Sequence, residues 1–325
     1  MLFLDPRAFL LSAALLAVFA GCTGVGEPVA RAEAASSADP PTGTSTSTSD
    51  EKRGTAAPER GGGTLLAPGA VVASTSCGKP AQAAGFFAGR SIDVAGATRT
   101  YDLFVPPAAK TALVPIVFVF HADNGASLRP DLPLENASAG QAIFVYPYGR
   151  GNAWDLGAPA TNGDYPFVEQ LKAELHSLLC VDEKRTFAYG FSNGAFFVNM
   201  LACYRGPSLF RAIATSSGGL YPPEGAAGFY DDRGNFVCPM EPVASLVLHG
   251  TSDRVVSYEG DGLSARDSWR AANGCASSTR TFGPSPCVAF DGCSKNPVGF
   301  CNFPGGHELW SGTASAVWTF FAALQ

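Results

Sequence analysis

Tyr189-Gly190-Phe191-Ser192-Asn193-Gly194-Ala195 decides how the rest of the chain is read. It contains a Gly-x-Ser-x-Gly motif. Ahead of the motif, Thr186-Phe187-Ala188-Tyr189 is short, apolar and bounded by charge, the pattern of a buried strand. Behind it, Ala195 to Tyr204 carries neither Pro nor Gly and predicts a helix. A strand, a glycine-flanked serine and a helix make a turn that holds a nucleophile at its tip. Such a turn leaves no room for Cβ atoms at its flanks, which accounts for Gly190 and Gly194. Ser192 is the candidate nucleophile. The Asn193 amide, at a helix N-terminus, is a candidate donor to an oxyanion. Ordinary Gly-Ser loops also produce this motif, and the flanking strand and helix separate it from them.

Working outward, Val114 to Phe120 is a continuous apolar run, expected to be a strand buried on both faces. Ile143–Tyr146, Ala212–Thr215, Val243–His249 and Val298–Phe303 read as further strands. Arg99 to Pro106 alternates polar and apolar residues in its first half and reads as an antiparallel edge strand. Helical spacing marks Phe167–Leu179, Leu263–Ala272 and Ala314–Leu324. Strands alternate with helices, so the fold class is α/β, with a largely parallel sheet in one domain from Cys77 to Gln325.

A serine hydroxyl needs a base in contact and a third group to orient that base. The chain has four histidines. His176 falls in a helix, while His121 and His249 end buried strands. His307, in Pro304-Gly305-Gly306-His307-Glu308-Leu309-Trp310, follows the last strand in a glycine-rich loop and is the candidate base. Asp253, in the loop after the strand that ends at His249, is the candidate acid, because open α/β sheets place their sites at the C-terminal ends of strands. It would fix the His307 tautomer and stabilise the imidazolium. A second oxyanion donor is expected from the loop His121-Ala122-Asp123-Asn124-Gly125, at the amide of Ala122 or Asp123. Trp154 and Trp310 are candidate apolar walls of a substrate cleft, with core packing as the plainer alternative.

Charged residues make up 15% of the 325 residues, with a net charge of −6 and no basic patch, which argues against nucleic acid as a partner. Residues 1–21 read as a signal peptide, with Arg7 before the apolar stretch Ala8–Ala20. Phe19-Ala20-Gly21-Cys22 resembles a bacterial lipoprotein cleavage box, which implies lipidation at Cys22 and an anchor in the outer membrane or at the cell surface. Plain cleavage and secretion is the alternative. Residues 22–76, rich in Ser, Thr, Ala, Gly and Pro, read as a disordered tether with a reach of roughly 40 Å. Of nine cysteines, removing Cys22 leaves eight, enough for four disulfides in an oxidising compartment. Some pairing is expected within the group Cys275, Cys287, Cys293 and Cys301. No paired Cys-x-x-Cys suggests zinc, and no metal or cofactor is expected.

Taken together, Gly190–Ala195, Leu201-Ala202-Cys203, His249-Gly250-Thr251-Ser252-Asp253-Arg254-Val255-Val256, Trp269 with Asn273-Gly274-Cys275, and Gly305–Trp310 resemble the secreted feruloyl esterase and polyhydroxybutyrate depolymerase family. Cys180–Arg185 before the serine strand is also similar. The resemblance covers roughly Ser91 to Gln325. It implies an α/β-hydrolase fold and a Ser192–His307–Asp253 triad with neither metal nor cofactor. It also implies ester substrates: feruloylated or acetylated polysaccharide, or poly(3-hydroxybutyrate). Ala122 departs from the usual Gly, and Tyr221-Pro222-Pro223-Glu224-Gly225 is a proline-containing departure near the cleft. The protein is expected to act as a monomer, touching a membrane only through its lipid. A hydrolase-like lipoprotein that binds glycan or polymer without turnover is the competing expectation. A peptidase would need an amine-anchoring or blade-like extra domain, of which the tether gives no sign.

Overall fold

A computed structural model of the protein describes residues 72–77, 83–223 and 228–324. All lie within the compact unit Arg60–Gln325. The signal peptide, Cys22 and the tether up to residue 71 fall outside the described residues, as does Glu224-Gly225 of the proline-containing stretch.

In chain order the main elements are β1 (Gly85–Val94), β2 (Ala97–Val105), β3 (Val114–Phe120), α1 (Leu134–Ala137), β4 (Ile143–Pro147), α2 (Asp164–Leu178), β5 (Val181–Phe191), α3 (Asn193–Arg205) and β6 (Ala212–Ser216). They continue with β7 (Ala244–Gly250), α4 (Ser264–Ala272), β8 (Thr279–Thr281), β9 (Cys287–Phe290), β10 (Val298–Phe303) and α5 (Thr313–Ala322). The ten strands form one sheet in the order β1-β2-β4-β3-β5-β6-β7-β10-β9-β8. From β4 to β10 every neighbouring pair is parallel. Antiparallel strands complete both ends.

Every residue of β3 is buried. Ile116, Phe118 and Phe120 join the core under α2, α3 and α4, while Val117 and Val119 join the opposite core, which α1 and α5 cover. This two-sided burial is why the strand reads as an unbroken apolar run. Each such side chain removed from water contributes about 1.5–3 kcal/mol.

The structure corrects two boundaries. Arg99–Pro106 was expected at an edge; β2 is antiparallel but has β1 on one side and β4 on the other. The edge is β1, whose register shifts between Phe87 and Arg90. Gly89, at a positive φ of 65°, lies in that bulge and breaks the alternation that marks a strand. Val72–Ser76, placed by the sequence in the tether, pack against the start of β5 instead. Ala73 bridges to Asp182, the Ser74 amide bonds Val181 O, and Ser74 Oγ donates to Leu179 O.

Four disulfides join Cys77–Cys180, Cys203–Cys238, Cys275–Cys293 and Cys287–Cys301. The first pins the start of the described chain to the foot of β5. The second ties α3 to the segment before β7. The last two cross-link the antiparallel flank around β9.

Candidate active site

Ser192 sits between β5 and α3 with φ 54° and ψ −121°, a left-handed conformation uncommon for a residue with a side chain. Its amide bonds Ser216 O on β6. The turn closes because its flanks lack side chains: a Cβ on Gly190 would lie closer than 3.0 Å to Gly194 O. A Cβ on Gly194 would come equally close to the carbonyls of Phe120 and His121. The second contact brings the end of β3 onto the first turn of α3.

The other two candidates arrive on loops that are also packed through glycine. A Cβ on Gly250, at the end of β7, would strike the carbonyls of Gly305 and Gly306. The Ser252 amide bonds Gly305 O, and the Thr251 amide bonds Phe303 O. The loop after β7 and the loop after β10 are therefore zipped together. His307 Nε2 lies 2.9 Å from Ser192 Oγ, and His307 Nδ1 lies 2.8 Å from Asp253 Oδ2. The Phe191 ring flanks the imidazole, with centroids 5.2 Å apart.

The Asp253 carboxylate is fully buried. Oδ1 accepts the amides of Val255 and Val256, each at 2.9 Å. Burial opposes its charge, but the Val256 amide, the His307 ring and the Val255 amide outweigh it and hold the carboxyl below the usual carboxylate range. An ionised Asp253 only accepts, so His307 Nδ1 carries the proton and Nε2 is free to accept from Ser192. A serine, a neutral imidazole and a buried carboxylate so ordered can deprotonate the hydroxyl and hold the resulting imidazolium.

His249 is a neighbour that sequence reasoning did not connect to the acid. Its Nε2 donates to Val256 O at 3.1 Å and lies 3.5 Å from Asp253 Oδ2. Burial holds the ring neutral against the pull of Val256 O and Asp253. The His-Gly-x-x-Asp spacing was the signal: a loop this short returns Asp253 over the last residues of β7.

At the candidate oxyanion side, the Gly149 amide donates to His121 Nε2 at 3.0 Å, so His121 Nδ1 carries its proton and donates to Ala122 O at 2.7 Å. The ring is buried, which keeps it neutral. The amides of Asn193, Ala122 and Asp123 have no acceptor among the described residues. Trp154 was read from the sequence as an apolar cleft wall or as core packing, and its burial favours the second. It is 3% exposed and stacks on Phe197 with centroids 5.0 Å apart. Its loop is drawn into the core because Asn193 and His121 both bond it. Trp310 is half-buried, stacked on Phe303 in the loop that carries His307. Among the described residues no group of three or more His, Cys, Asp or Glu is placed to hold a metal ion.

No family model matches the chain. Among curated proteins, feruloyl esterase C of Emericella nidulans is 35% identical over 217 residues, covering 63% of this chain and 73% of that protein. A probable feruloyl esterase C of Aspergillus clavatus is 33% identical over 213 residues, covering 62% and 71%. Among solved structures, an acetyl xylan esterase from Aspergillus awamori superposes with a TM-score of 0.53 at 17% identity, over 69% of this chain and 94% of that one. The α/β-hydrolase fold is common to both.

Proposed function

Because the chain belongs to the feruloyl esterase family and is a carboxylic ester hydrolase, we propose that Ser192, His307 and Asp253 are its catalytic triad and that its substrates are aromatic acyl esters of the feruloyl type. The observation that carries this reading is the continuous hydrogen-bond chain from Ser192 Oγ through His307 to Asp253. Ser192 Oγ attacks the ester carbonyl carbon as its proton passes to His307 Nε2. The carbonyl oxygen becomes an oxyanion, met by the Asn193 amide and by the amide of Ala122 or Asp123. The C–O bond to the alcohol then breaks, and His307 gives the proton to the leaving oxygen. Water, deprotonated by His307, attacks the acyl-serine, and the acid and free Ser192 are regenerated. Asp253 stays ionised throughout.

The four disulfides fit an oxidising compartment, and we place the enzyme outside the cytoplasm. Lipidation at Cys22 and a tether over residues 22–76, less the Val72–Ser76 stretch packed at β5, rest on the sequence; mass spectrometry of the mature N-terminus tests the lipidation.

Residues 72–325, made under oxidising conditions, are to be assayed with methyl ferulate, p-nitrophenyl acetate and poly(3-hydroxybutyrate). Cleavage of both small esters, reduced at least ~10⁴-fold in Ser192→Ala, is the expected result. Cleavage of the acetate and polymer without methyl ferulate would replace the acyl specificity and keep the triad. Undiminished turnover by Ser192→Ala would overturn the triad.

A further inference from the structure

The two candidate oxyanion donors lie on segments far apart in sequence, yet one side chain joins them. Asn193 Oδ1 accepts the Trp154 amide at 2.7 Å, and Asn193 Nδ2 donates to Trp154 O at 3.1 Å. The residue whose own amide heads α3 thus grips the Trp154 backbone at two points. The Trp154 indole Nε1 in turn donates to His121 O at 3.0 Å, a bond buried from solvent. That carbonyl is one of the two that Gly194 allows to approach α3. The His121 ring then donates to Ala122 O, which also accepts the Gly125 amide.

Two consecutive peptides are pinned by this sequence of bonds. The His121–Ala122 peptide is held by its carbonyl to Trp154, and the Ala122–Asp123 peptide by its carbonyl to His121. In a trans peptide the N–H points opposite to the C=O. Fixing the two carbonyls therefore fixes the directions of the Ala122 and Asp123 amides, and it keeps either carbonyl from turning toward an oxyanion. The indole is itself immobilised between Phe197, Phe120 and His121, with centroids 5.0, 5.0 and 5.1 Å away. Below it, Asp155 donates its amide to Asp164, which pairs with buried Arg99.

We infer that Trp154 is a positioning residue that couples the two sides of the oxyanion site, through its backbone to Asn193 and through its indole N–H to the loop after β3. It touches no reacting atom. The inference rests on the proposed role of Ser192 and of these amides.

Trp154→Phe keeps a ring between Phe197 and Phe120 but deletes the donor to His121 O. Asn193→Ala releases the backbone grip and leaves the Asn193 amide in place. Each variant is expected to lower kcat about 10- to 100-fold on p-nitrophenyl acetate with KM within about threefold, because oriented donors act on the transition state. Affinity for phenylboronic acid, which forms a tetrahedral adduct on a serine, is expected to fall in step with kcat, while affinity for the product acid stays the same. The double variant is expected to cost less than the product of the two single losses. Asn193→Ala removes a partly exposed side chain at a helix start, so it tests the coupling even if Trp154→Phe does not fold. Folded variants with unchanged kcat and boronate affinity would overturn the inference, as would equal losses in substrate, product and boronate affinity. Ser192→Ala, run alongside, separates the premises: turnover without Ser192 removes the proposed triad, whereas a dead Ser192→Ala beside a fully active Trp154→Phe removes only the coupling.

Discussion

The crest of the sheet, where β3, β5, β7 and β10 end, is held together differently from the flank made by β8 and β9. At the crest no disulfide is used. Gly190, Gly194 and Gly250 let backbones meet closer than any Cβ would allow, and the amides of Ser192, Thr251 and Ser252 are bonded to carbonyls of neighbouring segments. At the flank β8 is wholly exposed, so little apolar area is available to hold it. Cys275–Cys293 and Cys287–Cys301 do so covalently. The crest is a region of geometric tolerance and the flank one of chain restraint. Damage to the first should appear in turnover, and damage to the second in stability.

Gly194→Ala is the sharpest way to break that contrast. The new Cβ meets the carbonyls of Phe120 and His121, and kcat is expected to fall at least ~100-fold in a protein that still shows a cooperative melt. Near-normal turnover would mean that the close approach of β3 to α3 does not set the site. Next in size, replacing both Cys287 and Cys301 by Ala is expected to cost about 2–4 kcal/mol in urea unfolding while kcat stays within about threefold. A collapse of kcat would show that the flank reaches His307 through β10.

Acid sharpens the comparison further. Burial keeps His121, His176 and His249 neutral in the fold, and for His176, beside Lys172, the value is pushed down to about 4. The unfolded chain takes up these protons below about pH 6.5. It then binds more protons than the fold, so stability is full above that pH and declines as pH falls toward 4. Asp253 works in the same direction but in a lower window. Its contribution is present above the ordinary carboxylate range and is lost only below it, outside the interval from pH 7 to 5. His176 lies between α2 and β5, where its Nε2 pairs with Thr186, away from the crest. His176→Gln is expected to reduce the stability lost between pH 7 and 5.5 by about 1 kcal/mol, with kcat unchanged. The smallest effect belongs to the exposed Arg280–Asp291 pair on the flank. Arg280→Gln is expected to leave the urea-unfolding midpoint unchanged.

The crest was the more legible region. Gly190-Phe191-Ser192-Asn193-Gly194 and His249-Gly250-Thr251-Ser252-Asp253 are local, and steric need writes glycines and short loops directly into sequence. His307 emerged because three other histidines sat on predicted strands or a helix. For Trp154 the sequence left cleft wall and core packing undivided. Its partners, Asn193 and His121, are 39 and 33 residues away, and an isolated tryptophan carries no mark of which backbone it will bond. Nor did the sequence reveal β1, whose bulge at Gly89 erases the alternation, or β8, whose Thr279-Arg280-Thr281 has no buried face to mark it. Cys275, Cys287, Cys293 and Cys301 were expected to pair among themselves and do, but which partner each takes was not legible, because it depends on which strands adjoin and β9 was itself unseen.

Val72 to Cys77 lie at the foot of β5, and Ser192 stands just past its far end. Val181 lies opposite Val114 and Gly190 opposite Phe120, with an irregularity in β5 between Val181 and Thr186, so the two are separated by about 25 Å at the usual rise. Val72–Cys77 and Ser192 therefore sit at opposite ends of one strand. A bead, resin or surface coupled upstream of Val72 would hold the chain at the end of β5 away from Ser192.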